Sequence, residues 1–350
     1  MTSAVRRLDV IAPGPRTLAQ DAGRAGWRGV GAPVSGAADG VLWRLAQAVA
    51  GGPEGACALE FALLGPTLRA AGGPARVALG GAEGRVTGAD GEARRAPALR
   101  SFTLAEGETL AVGPVSGGAV GYLAVEGGFD LPVVMGARAT DLRAGFGGFR
   151  GRALAPGDRL PLAGPPPQGP ERALAAPPPP PEGPLRVIMG PQTDHFTVEA
   201  LETFLAAEWR VSDDVDRMGA RLQGPRLRHS DKGADMISEG LAIGAVQVPG
   251  AGQPIVLGVD SHTIGGYPKI AVVVTADIPR LGRLTPGRTV RFAAVTLAEA
   301  AAARRAAAAD LARAIAAIRP VAGGAAPVDL AALASANLVS GVVSAREEQS

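Results

Sequence analysis

Only two of the 35 basic residues in this chain are lysines, Lys232 and Lys269; the rest are arginine. Arginine is a planar fork that stays charged, whereas lysine is a compact ammonium whose proton affinity can be tuned. A site that needs a point charge therefore has two candidates. Lys232 lies in the polar stretch RHSDKGAD and reads as a chance occurrence. Lys269 follows Gly265-Gly266-Tyr267-Pro268 and opens the apolar run IAVVV, so it stands at the start of a strand. An ammonium on a rigid element, beside the backbone N–H groups of Gly265 and Gly266, suits a carboxylate, a carbamate or a developing enolate oxygen. The same residues also describe a plain hairpin, with Gly-Gly making the turn and Lys269 in water.

The rest of 238–280 supplies partners for such a group. Glu239 lies between Ser238 and Gly240, and Asp260 ends the apolar strand IVLGV. Gln247 and Gln253 both donate and accept, which suits an amide or ureido group, and Tyr267 adds a substrate contact. Upstream, GPQTDHF (190–196) places Gln192 and Asp194 just before a helix, where Asp194 also reads as a turn cap. In SDDVDRMGARLQGP (212–225), Asp216 and Arg217 read as a structural ion pair, with Arg217 a second reading as an anion contact. The stretch 17–39 carries Gln20, Asp21 and Arg24 ahead of a Gly-rich loop, which is either a binding loop or merely irregular.

Most elements that must position these residues are short strands. ARVALG, SFTLAEGETLAVG, AVGYLAVEGG, GAVQVPG, QPIVLGVD and KIAVVVTADI are apolar runs bounded by Gly, Pro or Asp. Turn signals at this spacing predict a mainly β chain of barrels or sandwiches. Three helices are expected. Asp39 caps the first, which places Val41, Leu42, Leu45, Ala48 and Val49 on one face and ends at Gly51-Gly52. Thr197 starts the second, with Val198, Leu201, Phe204 and Leu205 apolar. Thr296 and Glu299 form a capping box for the third, which stops before Pro320.

The Pro-rich stretch 163–184 reads as a linker. The expected division is a first β-barrel domain at 1–162, that linker, a second barrel at 185–295, and a C-terminal helix and tail at 296–350. The halves echo each other in one order: LLGPTLR (63–69) with LQGPRLR (222–228), GGF (127–129) with GGY (265–267), and LAPGDRL (154–160) with LTPGRTV (284–290). Three ordered matches point to a duplication.

Several chemistries lack their residues. Neither lysine sits in a G-x-x-x-x-G-K-[ST] loop, no Met-Lys-Met segment offers a lysine for covalent biotin, and no G-x-S-x-G elbow occurs. His195, His229 and His262 have no metal-ligand spacing. No basic run is interleaved with aromatics, so nucleic acid is not an expected partner. The single cysteine, Cys57, cannot form an intramolecular disulfide. With no signal-like or membrane-length apolar run, a cytoplasmic setting without a membrane is expected.

Taken together, the motifs resemble the biotin-dependent carboxyltransferase family (carboxyltransferase A/B domain, allophanate hydrolase subunit 2-like). They are QDAGRAG (20–26), GAPVSGAAD (31–39), ALEFALLGPTL (58–68), GPQTDHF (190–196), DRMGARLQGP (216–225), SEG (238–240), GAVQVP (244–249), GQPIVL (252–257), GGYPKIA (265–271) and NLVSGVV (337–343). The resemblance implies two cyclophilin-like β-barrel domains. It also implies work in a heteromeric complex, with a protein like the B component of 5-oxoprolinase (allophanate hydrolase subunit 1-like) and one like its A component. It is similar above all to the C component of 5-oxoprolinase, a complex that uses ATP to cleave 5-oxo-L-proline, a lactam, to L-glutamate. A second implied reading is urea amidolyase-like transfer of a carboxyl group from carboxybiotin on a partner to urea or a related amide. A third is a non-catalytic regulatory subunit. In the first reading Lys269 binds a carboxylate or carbonyl oxygen, Gly265 and Gly266 complete the anion site, and Glu239 or Asp260 orients a nucleophile or serves as base. The chain departs from the family pattern at SHTIGG (261–266), where a more polar RQTTGG-like stretch is expected, and at VPGAGQP.

Overall fold

The computed structural model describes residues 5–179 and 181–321. The NLVSGVV motif and the end of the chain lie outside the described residues.

The first half folds as two antiparallel sheets. One runs in the order Arg159–Pro161, Arg7–Ala12, Thr67–Ala71, Thr109–Val115, Ala82–Thr87, Ala93–Ala96. The other runs Arg16–Gln20, Ala58–Ala62, Val120–Val125, Ala75–Gly80, Ser101–Leu104. Alternation puts Leu8, Val10, Leu68, Leu110 and Val112 on the inner face of the first sheet, against Leu59, Phe61, Leu79 and Leu123 of the second. Val120–Val125 is buried at every residue. Its outer face is covered by helix α1 (Gly40–Ala50), whose Trp43, Leu45, Ala46 and Val49 pack with Ala78, Tyr122 and Ala124. Asp39 caps α1 as expected: its Oδ1 accepts the Val41 and Leu42 N–H groups at 3.2 and 3.0 Å, and Gly51 closes it at φ +85°.

The second half is built on one eight-stranded sheet. Its order is Thr289–Val290, Trp209–Asp216, Gly219–Gln223, Ile255–Leu257, Ala245–Gln247, Lys269–Val273, Leu185–Met189, Phe292–Ala294. The two edge strands are separated in sequence by Arg291 alone, so the sheet must curl until its edges nearly meet. Helix α2 (Val198–Ala206) inserts Phe204 against Phe292, with ring centroids 4.5 Å apart, and against Trp209. Val198, expected on the apolar face of α2, is 66% exposed, because it occupies the first turn, which projects past the core. A four-residue helix α3 (Ile278–Leu281) follows the central strands.

The Pro-rich stretch does more than connect. Arg172–Ala173 pairs with Arg319–Pro320, and Leu174 is buried with Leu311 and Ala314 of helix α4 (Leu297–Ala316). Residues 172–174 and α4 thus lie against α1 of the first half, while the carbonyls of Gln168 and Gly169 accept from the Arg76 guanidinium. The Thr296–Glu299 capping box of α4 is formed. No helix among the described residues is long and apolar enough to cross a membrane.

The repeated motifs hold partly equivalent places. Both L-x-G-P segments follow the second strand of an antiparallel pair, and both L-x-P-G turns lead into a short edge strand. The Gly-Gly pairs differ: Gly127-Gly128 follows a strand, whereas Gly265-Gly266 precedes one.

Candidate functional site

Lys269 opens a strand that runs between Ala245–Gln247 and Leu185–Met189, and this sheds its water: the side chain is 5% exposed. Gly190 makes the site possible. A Cβ at this position would lie 2.1 Å from the Lys269 carbonyl oxygen, so only glycine lets the 190–192 turn approach so closely. That turn delivers Gln192. Its Oε1 accepts the Lys269 backbone N–H at 3.2 Å, and its Nε2 donates to Glu239 Oε1 at 2.8 Å.

Glu239 arrives on a two-residue strand, Glu239–Gly240, paired with Ile264–Gly265 in the register Glu239↔Gly265. Its carboxylate is in ion contact with the Lys269 ammonium. Lys269 Nζ has no well-aligned hydrogen bond among the described residues, so its three donors are not used up by this contact. The Lys269 ammonium, followed by the Gln192 amide, holds the Glu239 carboxyl below the usual carboxylate range. Gln247 stands opposite Lys269 in the neighbouring strand, where the register shifts, and its Nε2 reaches the Tyr267 carbonyl at 3.5 Å.

Gly265 and Gly266 serve close packing. Added Cβ atoms would lie 2.9 Å from Leu241 Cδ1 and 2.8 Å from the Met236 carbonyl oxygen. Gln247, Tyr267 and His262 line an open cleft of about 630 Å³, whose far wall carries Asp213, Asp214 and Asp216. Among the described residues, no group of three or more His, Cys, Asp or Glu side chains is placed to hold a metal ion.

Seven expected residues therefore come together: Lys269, Glu239, Gln192, Gln247, Gly265, Gly266 and Tyr267. The others do not. Gln253 is occupied by the backbone of Gly224, accepting its N–H at 2.9 Å and donating to its carbonyl at 3.1 Å. Asp194 is tied to Lys232 on the outer surface, which also gives Lys232 a partner. Asp216 does not pair with Arg217; its Oδ1 accepts the Met218 and Gly219 N–H groups at 2.7 and 3.3 Å. Asp260 is not a free base, because Arg217 holds both its oxygens, at 2.7 and 3.0 Å.

Arg217 instead joins the halves. Beyond Asp260 it contacts Glu60 through Nη1 and donates to the Gly36 carbonyl at 2.7 Å. Glu60 accepts from the Tyr122 hydroxyl at 2.7 Å, and that oxygen accepts the Asp39 N–H at 2.9 Å. Asp39 in turn binds Arg283 of the second half at 2.5 Å. Burial alone would lower the Arg217 pKa; the Glu60 and Asp260 charges outweigh it and raise it. Burial, then the Glu60 charge, pushes the Tyr122 phenol well up. Sequence reasoning does not single out Glu60, Tyr122 or Asp39 for this role. The ALE of 58–60 is visible as a motif, but nothing local marks its partner.

Known proteins bear on this geometry. The sequence pattern of the carboxyltransferase domain, subdomain A and B, matches residues 30–294. The C component of 5-oxoprolinase from Escherichia coli strain K12 is 36% identical over 310 residues, covering 85% of this chain and 94% of that protein. A putative urea carboxylase of Emericella nidulans is 32% identical over 314 residues, covering 85% of this chain and 25% of that protein. The crystal structure of the K. lactis urea amidolyase superposes with a TM-score of 0.79 at 28% identity, covering 88% of this chain and 20% of that one. The chain thus spans nearly the whole of the bacterial protein but corresponds to a fraction of the fungal enzymes.

Proposed function

The chain belongs to the family of the carboxyltransferase domain, subdomain A and B, and from that premise we propose that it is a subunit of a 5-oxoprolinase-type complex acting on a lactam. One observation carries the reading: the dry Lys269 ammonium set against the Glu239 carboxylate, with the Gln192 and Gln247 amides beside it.

A lactam presents a carbonyl oxygen and an N–H on one face. The ammonium, little screened at this depth, would polarise the carbonyl and stabilise negative charge that develops on its oxygen. Gln247 would take the amide edge. Glu239, half-exposed and held ionised by its neighbour, would accept the proton of the attacking water. The water oxygen bonds to the carbonyl carbon, the ring C–N bond breaks, and the proton taken by Glu239 passes to the departing nitrogen; the product is the open-chain amino acid, which for 5-oxo-L-proline is L-glutamate.

The Lys269 site fits a neutral carbonyl better than a triphosphate, whose charge Glu239 would oppose. ATP would then be used elsewhere in the complex, and no step here is routed through it. A second reading, carboxyl transfer from carboxybiotin on a partner to an amide, draws support from the likeness to the urea carboxylase.

The test is reconstitution with partners of the A-component and B-component types, following 5-oxoproline-dependent ATP hydrolysis and glutamate formation. Both should vanish when this chain is omitted and fall at least about a hundredfold with Lys269→Ala. Full activity of that variant would remove Lys269 from the reaction. Turnover that requires biotin and bicarbonate, with an amide in place of 5-oxoproline, would select the second reading.

A further inference from the structure

The Gly-rich loop of 17–39 lies outside the Lys269 cluster, yet it reaches the element that carries Glu239. The loop folds on itself: the Arg24 N–H donates to the Val34 carbonyl at 2.8 Å, and the Ala37 N–H to the Asp21 carbonyl at 2.9 Å. Gly36 allows this, since a Cβ there would lie 2.7 Å from the Gly23 nitrogen. The Ser35 N–H donates to the Val259 carbonyl at 3.0 Å, which fixes the loop to the second half. Between Arg24 and Val34 a single tight turn, Arg28–Val30, is closed by Gly31 at φ +91°. That turn presents Arg28.

Among the described residues, the Arg28 side chain donates to backbone carbonyls of the second half. Nε and Nη2 reach Leu241 at 3.1 and 2.9 Å, and Nη2 also reaches His262 at 2.8 Å. These two residues flank the short antiparallel ladder of Glu239–Gly240 with Ile264–Gly265, one on each strand. Leu241 follows Gly240, and its N–H donates to the Thr263 carbonyl at 2.9 Å, so the pairing runs one residue further. His262 comes just before Thr263. One guanidinium thus holds both strands at the same end of the ladder. Its acceptors are main-chain oxygens, so the grip does not depend on which side chains stand at 241 and 262.

The ladder needs such a hold. So few paired residues cannot fix their own geometry; even a whole isolated hairpin is marginal in water. Lys269, by contrast, stands in the eight-stranded sheet with a partner strand on either side. The Glu239 carboxylate and the Lys269 ammonium are therefore carried on elements of unequal rigidity, and their contact depends on what steadies the weaker one. The hold has a cost. Arg28 is half-buried, burial lowers its pKa, and its Nη1 is buried without a partner among the described residues. Arginine stays charged at such a place, and its planar fork spans two acceptors at once.

We propose that Arg28 is a positioning residue: by fastening both strands of the ladder, it sets the Glu239 carboxylate against the Lys269 ammonium from the opposite half of the chain. Its effect on turnover rests on the reading of Glu239 as the base; its effect on the Glu239–Lys269 contact does not.

The test follows the Glu239 titration by carbon NMR in the full chain with labelled carboxyls. Arg28→Met keeps the apolar stem and deletes the fork. It should raise the Glu239 midpoint toward the ordinary glutamate value, because the contact with Lys269 loosens. Loss of a positive charge would also raise it directly, and a double-variant cycle separates the two causes. With Lys269→Met already in place, Arg28→Met should move the midpoint little, whereas a direct charge effect would persist. Exchange of the Leu241 amide should accelerate more than exchange in Trp209–Asp216. If Arg28→Met does not fold, Arg28→Lys carries the comparison; it keeps the charge and loses the fork, so the midpoint should still rise. In the reconstituted complex, kcat should fall about tenfold or more at little-changed KM for 5-oxoproline. An unmoved midpoint, or a rise of equal size with and without the Lys269 ammonium, would overturn the proposal. A midpoint that rises as expected while kcat stays fixed would uphold the positioning and refute Glu239 as the base.

Discussion

Arg217 and Glu60 lie 157 positions apart in the chain, and their charged groups meet where the side chains are 4% and 3% exposed. Each belongs to a different half, and each is bonded further into its own: Glu60 to Tyr122, Arg217 to Asp260. With Asp39 and Arg283 the polar chain crosses between the halves twice. Asp260 immediately precedes Ser261-His262-Thr263, the loop that leads to Gly265 and Lys269. The first half, which among the described residues supplies no side chain to the Lys269 cluster, thus anchors the loop that leads to it.

Breaking this link from either side should be costly. Arg217→Met strands two buried carboxylates, and Glu60→Leu leaves a buried cation partly paired; each should lose about 3–5 kcal/mol in denaturant unfolding. The double variant should lose clearly less than the sum, since each change removes what the other leaves unpaired. Additive losses would show that the contact is incidental to stability.

Gly190 gives a second test, of geometry rather than charge. With Cβ 2.1 Å from the Lys269 carbonyl, Gly190→Ala must push two backbones apart. The expected cost is about 1–3 kcal/mol. Proton exchange at the Lys269 amide, which now donates to Gln192, should accelerate more than exchange in Trp209–Asp216. Uniform acceleration across the sheet would mean that the turn and the site are not specifically coupled.

Local patterns in the sequence carry the helix caps, because a cap depends on neighbours a few positions away, whereas the Lys269 cluster gathers residues 47 and 77 positions apart and shows only as separate short motifs. Asp39 and Thr296 meet backbone N–H groups two or three residues on. Gln192 is legible as a polar residue in a Gly-Pro turn, Glu239 as one between Ser238 and Gly240, and Lys269 as one at the start of an apolar strand. Asp216 and Arg217 mislead for a physical reason: Arg217 opens the two-residue turn between Trp209–Asp216 and Gly219–Gln223, and Asp216 spends its carboxylate on the Met218 and Gly219 N–H groups at that turn. Gln253 looks free because its partner, the Gly224 backbone, shows in no side-chain pattern. The Arg217–Glu60 contact depends on how the halves dock, which no local spacing records.

Cys57 should be inert. Burial is the main cause of a thiol pKa pushed far up, with the Asp21 charge adding to it. The thiolate is the reactive form, so a disulfide reagent should modify Cys57 only as fast as the chain opens. Its rate should rise with mild denaturant. Rapid labelling of the native protein at neutral pH would show an opening of the first core that the packed strands do not suggest.

The last prediction concerns the proton on Glu239. Its pKa is depressed in the folded chain, first by Lys269 and then by Gln192. A depressed carboxylate adds stability above its unfolded pKa, about 4.3, and loses it as pH falls through the lower folded value. Glu239 is 42% exposed, so solvent screens the pair and the effect on Tm should be small. The titration itself is the sharper readout. By carbon NMR of the labelled carboxyl, the wild-type midpoint should lie below the ordinary glutamate value. Gln192→Ala should move it up slightly, and Lys269→Met should move it up more. If Glu239 is the base in the reaction, the acid limb of the kcat/KM profile should shift up by the same amount in Gln192→Ala, which keeps the ammonium. A midpoint that moves while the acid limb stays fixed would assign the proton transfer to another group and leave Glu239 as the counter-charge of Lys269.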